Sequence, residues 1–409
     1  MDLSRRNFMG AALFAAAGTV GAAEAPKAKI QGLDETKSGA DLSLPWEPYA
    51  DGGRKIRVGI AGEGVCSFGS AFGYQNHPYV EVVACTDLDP AKCRLLQERV
   101  KAQKTYPSCE EMIKHAAEDK LEAVYIATDA PSHVHLAIMA LEHGLNVASA
   151  VPAFLGEDQL EYIPKLLDAV TRSGKLYQMN ETTAFRNSCF AMRKLYEAGK
   201  LGAITYTEGE YFHPGSHQLD GKRTGSYNGW REGLPPQFYP THSNGYYTCV
   251  THGSFTEVAS HGIRSDLPDF KGGANAYGSP FASEIALFKT SDNSTARMAV
   301  VWDAPGYHGE VGRIHGTLGS YTTGFHGLDS GKKIVAKVNL LKPLLPPGVD
   351  AGAHGGSHGY LTDDFLRGIL VPGHKVCVDL KTALDTTLAG VYAHISAEKG
   401  GETLKIPQI

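Results

Sequence analysis

The chain has 409 residues, with 39 Lys and Arg against 44 Asp and Glu and a formal net charge of −5. That length favours two domains, each able to bury a core without disulfide or metal staples, and the mild acidity gives no basis for a nucleic-acid partner. Seven cysteines are scattered (Cys66, Cys85, Cys93, Cys109, Cys189, Cys249 and Cys377) with no CxxC pair. They read as mostly buried thiols, with one or two bridges left open in an oxidising compartment.

Ser4-Arg5-Arg6-Asn7-Phe8-Met9 opens an apolar stretch, Ala11 to Ala23, that ends in small residues. Residues 1–25 therefore read as a twin-arginine export signal, and the apolar run is short for a bilayer span. A periplasmic location is predicted, with no membrane association after signal cleavage. Residues 26–53 carry Lys, Gly, Pro and Asp without a period and read as a linker or extended arm.

Lys55 to Ala61 reads as a buried strand followed directly by Gly62-Glu63-Gly64, with Ser67 where a full GxGxxG pattern has its third glycine. A second apolar run, residues 80–86, ends at Asp87, where a dinucleotide-binding unit places the acid for the adenine ribose. An acid there repels a 2′-phosphate, so NAD is favoured over NADP. The glycines permit a tight turn and close approach of the pyrophosphate. Alternation continues: helix over 91–103, a capping box at Ser108-Cys109-Glu110-Glu111, strand over 123–128, a helix ending at Gly144, strand over 146–150, helix over 157–173 and strand over 175–179. This predicts a doubly wound parallel sheet, an NAD-binding Rossmann domain over 54–180.

An exported NAD enzyme has no periplasmic pool with which to exchange its nicotinamide. It must keep the cofactor and regenerate it within each cycle, which favours a redox-neutral net reaction.

The run Ile126-Ala127-Thr128, then His133, then Gly144-Leu145-Asn146-Val147 and Pro152, resembles the glucose–fructose oxidoreductase / inositol dehydrogenase (Gfo/Idh/MocA) family. The resemblance implies cofactor contacts from Gly62, Gly64, Asp87, Thr128, His133, Pro152 and Glu181. It also implies an α/β substrate domain over 181–409 with an open, mostly antiparallel sheet, whose chain end is able to pack back on the first domain. Where the family's dehydrogenases carry Glu-Lys-Pro, this chain has Ala150-Val151-Pro152, and a valine cannot move protons. Trp230-Arg231, Tyr239-Pro240-Thr241-His242, His354-Gly355-Gly356, Glu181 and the segment ending at His213 look like the family's NAD-dependent glycoside hydrolases, the α-N-acetylgalactosaminidase subgroup.

The resemblance implies transient oxidation of a sugar, elimination, water addition and re-reduction with tightly held NAD. Tyr239 and His242 are the candidates for proton transfer, since His and a tuned Tyr suit that task. His213, Trp230, Arg231 and His354 are candidates for carbohydrate contact. Two alternatives stay open, a sugar oxidoreductase needing paired substrates and a non-catalytic carbohydrate-binding relative. Gly355-Gly356-Ser357-His358-Gly359 fits G-x-S-x-G but lacks the preceding strand that a nucleophile elbow needs. No HExxH or CxxC spacing predicts a metal. The exposed sheet of such a second domain offers a face for pairing between copies.

Overall fold

The computed structural model describes residues 46–49, 54–64, 66–214, 229–305, 308–329, 332–336 and 342–409. The export-signal expectation and most of the arm lie outside the described residues. So does the 215–228 portion of the second domain.

Strands β1 (Ile56–Ala61), β2 (Val80–Thr86), β3 (Lys104–Tyr106), β4 (Ala123–Ile126), β5 (Asn146–Ser149) and β6 (Tyr177–Met179) form one sheet in the order β3-β2-β1-β4-β5-β6. Every neighbouring pair is parallel. The central strands are apolar without alternation because helices cover both faces. The order reverses between β1 and β4, and at such a switch point ligands bind beyond the carboxyl ends of the strands.

Local chemistry sets the helix ends. Helix α1 (Pro90–Val100) starts with Pro at its first position, and the Asp89 carboxylate accepts the Ala91 N–H. The Ser108 hydroxyl accepts the Glu111 N–H and starts the short helix Cys109–Lys114. Helix α2 (His133–Glu142) gives way to Gly144 at φ 77°. One expected element differs. Residues 157–173 are not a single helix: Glu157–Tyr162 is a 3-10 segment, and helix α3 (Ile163–Ser173) begins beside Pro164. Proline cannot donate to the turn before it and clashes with that turn's carbonyl, so the α-helix starts there instead of running through.

The second sheet comprises β7 (Ile204–Phe212), β8 (Phe255–Arg264), β9 (Phe281–Thr290), β10 (Thr295–Val301), β11 (Gly309–Gly316), β12 (Gly319–Tyr321), β13 (Phe325–Asp329), β14 (Lys332–Ala336) and β15 (Leu404–Lys405). Its order is β14-β13-β12-β11-β7-β10-β9-β8-β15, antiparallel except for β7 beside β10. One face is packed under α5 (Thr241–Thr251) and α7 (Leu380–Glu398), the other is open. Along β9, exposed Ile285, Leu287 and Lys289 alternate with buried Ala286, Phe288 and Thr290.

The halves share one hydrophobic core. Helix α4 (Asn187–Glu197) follows directly from the first domain. Helix α6 (His358–Leu370) packs against the first domain and the arm: Thr362 donates to the Phe72 carbonyl, and Asp363 accepts the hydroxyl of Tyr49, in the arm, at 2.7 Å. Val378 accepts the Met179 N–H, and Thr387 accepts the Ala153 N–H. Near the chain end, Leu404–Lys405 add β15 to the edge of the second sheet beside β8, whose N–H and C=O groups are left to be paired. No helix among the described residues is long and apolar enough to cross a membrane.

Candidate active site

A cavity of about 320 Å³ lies at the carboxyl ends of the central parallel strands, lined by Gly62, Gly64, Asp87, Thr128, Trp230 and Arg231 among others. Gly62 sits at φ 93°, and a Cβ there would lie 2.5 Å from the Ala127 carbonyl oxygen. Only glycine lets the loop after β1 cross the end of β4 so closely. The Asp87 carboxylate accepts the N–H groups of Glu63 at 2.9 Å and Gly64 at 3.1 Å, and its second oxygen accepts that of Asp89. The acid therefore braces the turn. A carboxylate has about four acceptor positions, so with three N–H groups bound about one remains for a ribose hydroxyl. A glycine turn kept open, an acid at the end of β2 and a cleft at the switch point together fit an NAD molecule.

Three residues expected at the cofactor stand behind its cleft and not on its wall. His133 is buried, and its ring nitrogens face the carbonyls of Pro152 at 2.9 Å and Thr128 at 3.3 Å. It ties the β4 loop to the Val151–Pro152 loop. Pro152 contributes that carbonyl, while Ala150 and Val151 line the neighbouring cavity. Glu181 is fully buried beneath His242.

The neighbouring cavity, about 250 Å³, shares Cys66, Phe68 and Arg231 with the first. On its wall the structure brings His213 and His354 together with Arg231, Tyr239 and His242, which come from one stretch of the chain. Trp230 lines the cofactor cleft only, with the Arg231 guanidinium 4.6 Å from its ring. The Thr182 hydroxyl, on the wall, has no protein hydrogen-bond partner.

His242 lies in the first turn of α5. Its Nδ1 is 2.8 Å from Glu181 Oε1, which also accepts the Thr183 N–H. Glu310, on β11, lies 4.0 Å from the same nitrogen. Glu310 is itself held by Arg186 at 2.6 Å and by the Thr183 hydroxyl at 2.7 Å. Burial opposes charge on His242, but the two carboxylates outweigh it and raise its pKa. Burial likewise opposes charge on Glu181, yet the His242 charge and hydrogen bonds draw it down to about 2. With Nδ1 committed to Glu181, Nε2 is the nitrogen left for a ligand.

The Tyr239 hydroxyl has Arg231 Nη2 at 3.5 Å. Burial raises its pKa and Arg231 acts against that rise, so at neutral pH it is a phenol beside a cation. Two anchors hold the groups: in α5, Asn244 donates to the Thr386 carbonyl of α7, and in the turn before the helix the Gln237 N–H donates to buried Glu284.

His354 is delivered by backbone conformation. His354, Gly355 and Gly356 have φ of 52°, 70° and 73°, a left-handed run that ordinary side chains avoid. The Lys342 ammonium clamps this loop by donating to the Gly356 carbonyl at 2.8 Å and the Phe185 carbonyl at 2.6 Å. Burial and the His242 charge push His354 down to about 3, so it is a neutral imidazole, paired with His358 at 2.9 Å. Burial, His308 and the His242 and Arg231 charges hold His213 at about 3. Ser357 is buried and donates to the His354 carbonyl. All seven cysteines are free, six of them buried and Cys66 exposed at the junction of the cavities. Among the described residues no cluster of three or more His, Cys, Asp or Glu is placed to hold a metal.

The sequence assigns no place at the site to Glu310, Arg186, Tyr211, Cys66 or His358. Glu310 stands alone on a strand, and only the pairing of β11 with β7 brings it under His242.

The Glu181–His242 pair fixes a pH window for stability. The Glu181 contribution is complete above its ordinary value of 4.5 and is lost as pH falls towards 2. The His242 contribution is complete below its ordinary 6.5 and is lost as pH rises through its raised folded value. The advantage of the wild type over Glu181→Gln is therefore expected to be greatest between 4.5 and 6.5 and to shrink towards alkaline pH. Melting temperatures measured across pH check this; an advantage that grows above pH 8 would contradict the charged pair.

Residues 56–181 match the family model described as oxidoreductase family, NAD-binding Rossmann fold (Gfo/Idh/MocA). The chain is 30% identical over 164 residues to a glycosyl hydrolase family 109 protein of Porphyromonas gingivalis, a match covering 39% of this chain and 34% of that protein. It is 29% identical over 133 residues to an α-N-acetylgalactosaminidase of Bacteroides fragilis, covering 31% of each. These matches span about a third of the length of the curated relatives. Among solved structures, scyllo-inositol dehydrogenase from Lactobacillus casei with bound NAD(H) and scyllo-inositol superposes with TM-score 0.64 at 16% identity, over 86% of this chain and 99% of that one. At that identity the likeness speaks for the fold alone. Residues 56–181 thus match the Gfo/Idh/MocA NAD-binding Rossmann domain, and the chain shares the two-sheet fold of the inositol dehydrogenases.

Proposed function

We propose that the protein is an NAD-dependent glycoside hydrolase that holds its cofactor tightly. The observation that carries this reading is the junction of the two cavities, where a cleft suited to NAD opens beside a chamber holding a phenol and a carboxylate-backed imidazole. Gly62, Gly64, Asp87 and Thr128 would hold the cofactor, and NAD bound there supplies a reversible hydride acceptor for a sugar carbinol.

The chain's own residues move the protons. Val151 occupies the wall where a lysine could act, so acid–base work falls to Tyr239 and His242. The Arg231 charge beside the Tyr239 oxygen favours phenolate as the phenol passes its proton on. His242 Nε2 exchanges a proton with the sugar's C2 or with the departing C1 oxygen, while Glu181 fixes the tautomer through Nδ1. The names of the family 109 and α-N-acetylgalactosaminidase relatives support a glycosidic substrate. Export through the twin-arginine route would explain why the cofactor must be retained, and the open sheet face is where copies would pair.

The test uses purified full-length protein. Denaturation should release NAD or NADH at close to one per chain. Incubation with aryl glycosides of both anomers in D2O should release the aglycone and place deuterium at C2 of the sugar. Product forming only when a second sugar is added would favour the paired-substrate oxidoreductase. A chain that neither contains nor takes up the nucleotide would leave a carbohydrate-binding relative.

A further inference from the structure

We infer that the sugar this site accepts carries an anionic group, a carboxylate or sulfate, bound by the Arg231 guanidinium. The inference rests on the carbohydrate reading above and narrows its substrate class.

The argument is one of charge. Beneath the chamber lie two carboxylates, Glu181 and Glu310, and two cations, His242 and Arg186. They are paired with one another at 2.6 to 2.8 Å and sum to zero. His213, His354 and His358 are held neutral by burial, at about 3, 3 and 4. Arg231 is different. It is largely buried, it lines both cavities, and among the described residues its hydrogen-bond partner is a neutral phenol, Tyr239, with the Trp230 and Tyr239 rings 4.6 and 5.1 Å from its carbon. No carboxylate among the described residues pairs with it. The wall residues Ala150 and Val151, which could have supplied one, are apolar.

A guanidinium has five N–H donors, and one long bond to a phenol leaves most of them unmet. A largely buried charge in that condition is costly unless a ligand completes it. A planar carboxylate or a sulfate matches its fork. A neutral sugar hydroxyl would leave the charge uncompensated. Besides an anionic sugar, the pyrophosphate of NAD could supply the same chemistry, since Arg231 reaches both cavities. The experiment separates them.

NAD-loaded protein is titrated calorimetrically with galacturonate, glucuronate, galactose 6-sulfate, galactose and glucose. At least one anionic sugar should bind about tenfold to a hundredfold more tightly than its neutral parent, and the preference should weaken with salt. Arg231→Met should erase the preference with the NAD content unchanged, and Arg231→Lys should keep part of it. Equal binding of acidic and neutral sugars overturns the inference and leaves the carbohydrate reading standing. So does an Arg231→Met protein that loses NAD yet keeps the preference, which would place the guanidinium on the pyrophosphate. Binding of no sugar at all overturns both. If Arg231→Met does not fold, the wild-type preference and its salt dependence decide the matter.

Discussion

Under the proposed glycosidase chemistry, His242→Gln is expected to lower glycoside turnover by about 10² to 10⁴, the range that a positioned acid or base contributes. The substitution is chosen to spare the fold. A glutamine amide can still donate to Glu181, so the fully buried carboxylate is not left without a partner. What it cannot do is take up and return a proton. Bound NAD should stay near one per chain, because His242 lines the second cavity and not the cleft that carries Gly62 and Asp87. Tyr239→Phe should also slow the reaction without releasing NAD. The two are separated by pH profile: the wild-type rate should change across the titration of His242, whose pKa is raised, and His242→Gln should lose that limb while Tyr239→Phe keeps it. A His242→Gln enzyme of near wild-type rate and unchanged profile would remove His242 from the chemistry.

Gly62→Val is expected to abolish cofactor retention. A side chain there would start 2.5 Å from the Ala127 carbonyl oxygen and 2.8 Å from the Thr128 nitrogen. Both are backbone atoms at the end of β4 and cannot swing aside as a flexible side chain would. The φ of 93° adds strain of roughly 1–3 kcal/mol for a non-glycine residue. The loop must shift, and with it the N–H groups that Asp87 gathers. NAD per chain should fall to background and the melting temperature should drop. Gly64→Ala is the contrast: its φ of 62° is also positive, but the added Cβ would sit 3.9 Å from its nearest neighbour, so partial NAD retention is expected. Nucleotide content after denaturation measures both. Equal retention in the two variants would show that the Gly62 crossing is not what shapes the cleft.

The first domain was legible in the sequence because its signals are local. The strand runs are apolar from end to end, Asp89-Pro90 and Ser108 mark helix starts, and Gly144 marks an end, each acting within a few residues of itself. The break within 157–173 is also local: the helical period continues through Pro164, but the ring's steric demand starts the α-helix there. In the site, Tyr239 and His242 could be singled out because they sit three residues apart across the start of α5, in a motif short enough to recognise.

Other facts depend on contacts across the chain, and only the folded molecule decides them. His133 and Glu181 fall where family likeness suggests cofactor contact, yet one spends its ring on two backbone carbonyls and the other lies beneath an imidazole. Glu310 carries no motif and acquires its place from the register of β11 against β7, a hydrogen-bonded pairing of residues about a hundred apart. The charge balance of the chamber follows the same rule. The sequence by itself determined which residue types are available and which short segments are strand, helix or turn, since those follow from nearest-neighbour sterics and hydrophobic period. The tertiary structure decided which carboxylate neutralises which cation, and so left Arg231 without one among the described residues, because Coulomb energy and desolvation depend on distance in space and not on separation along the chain.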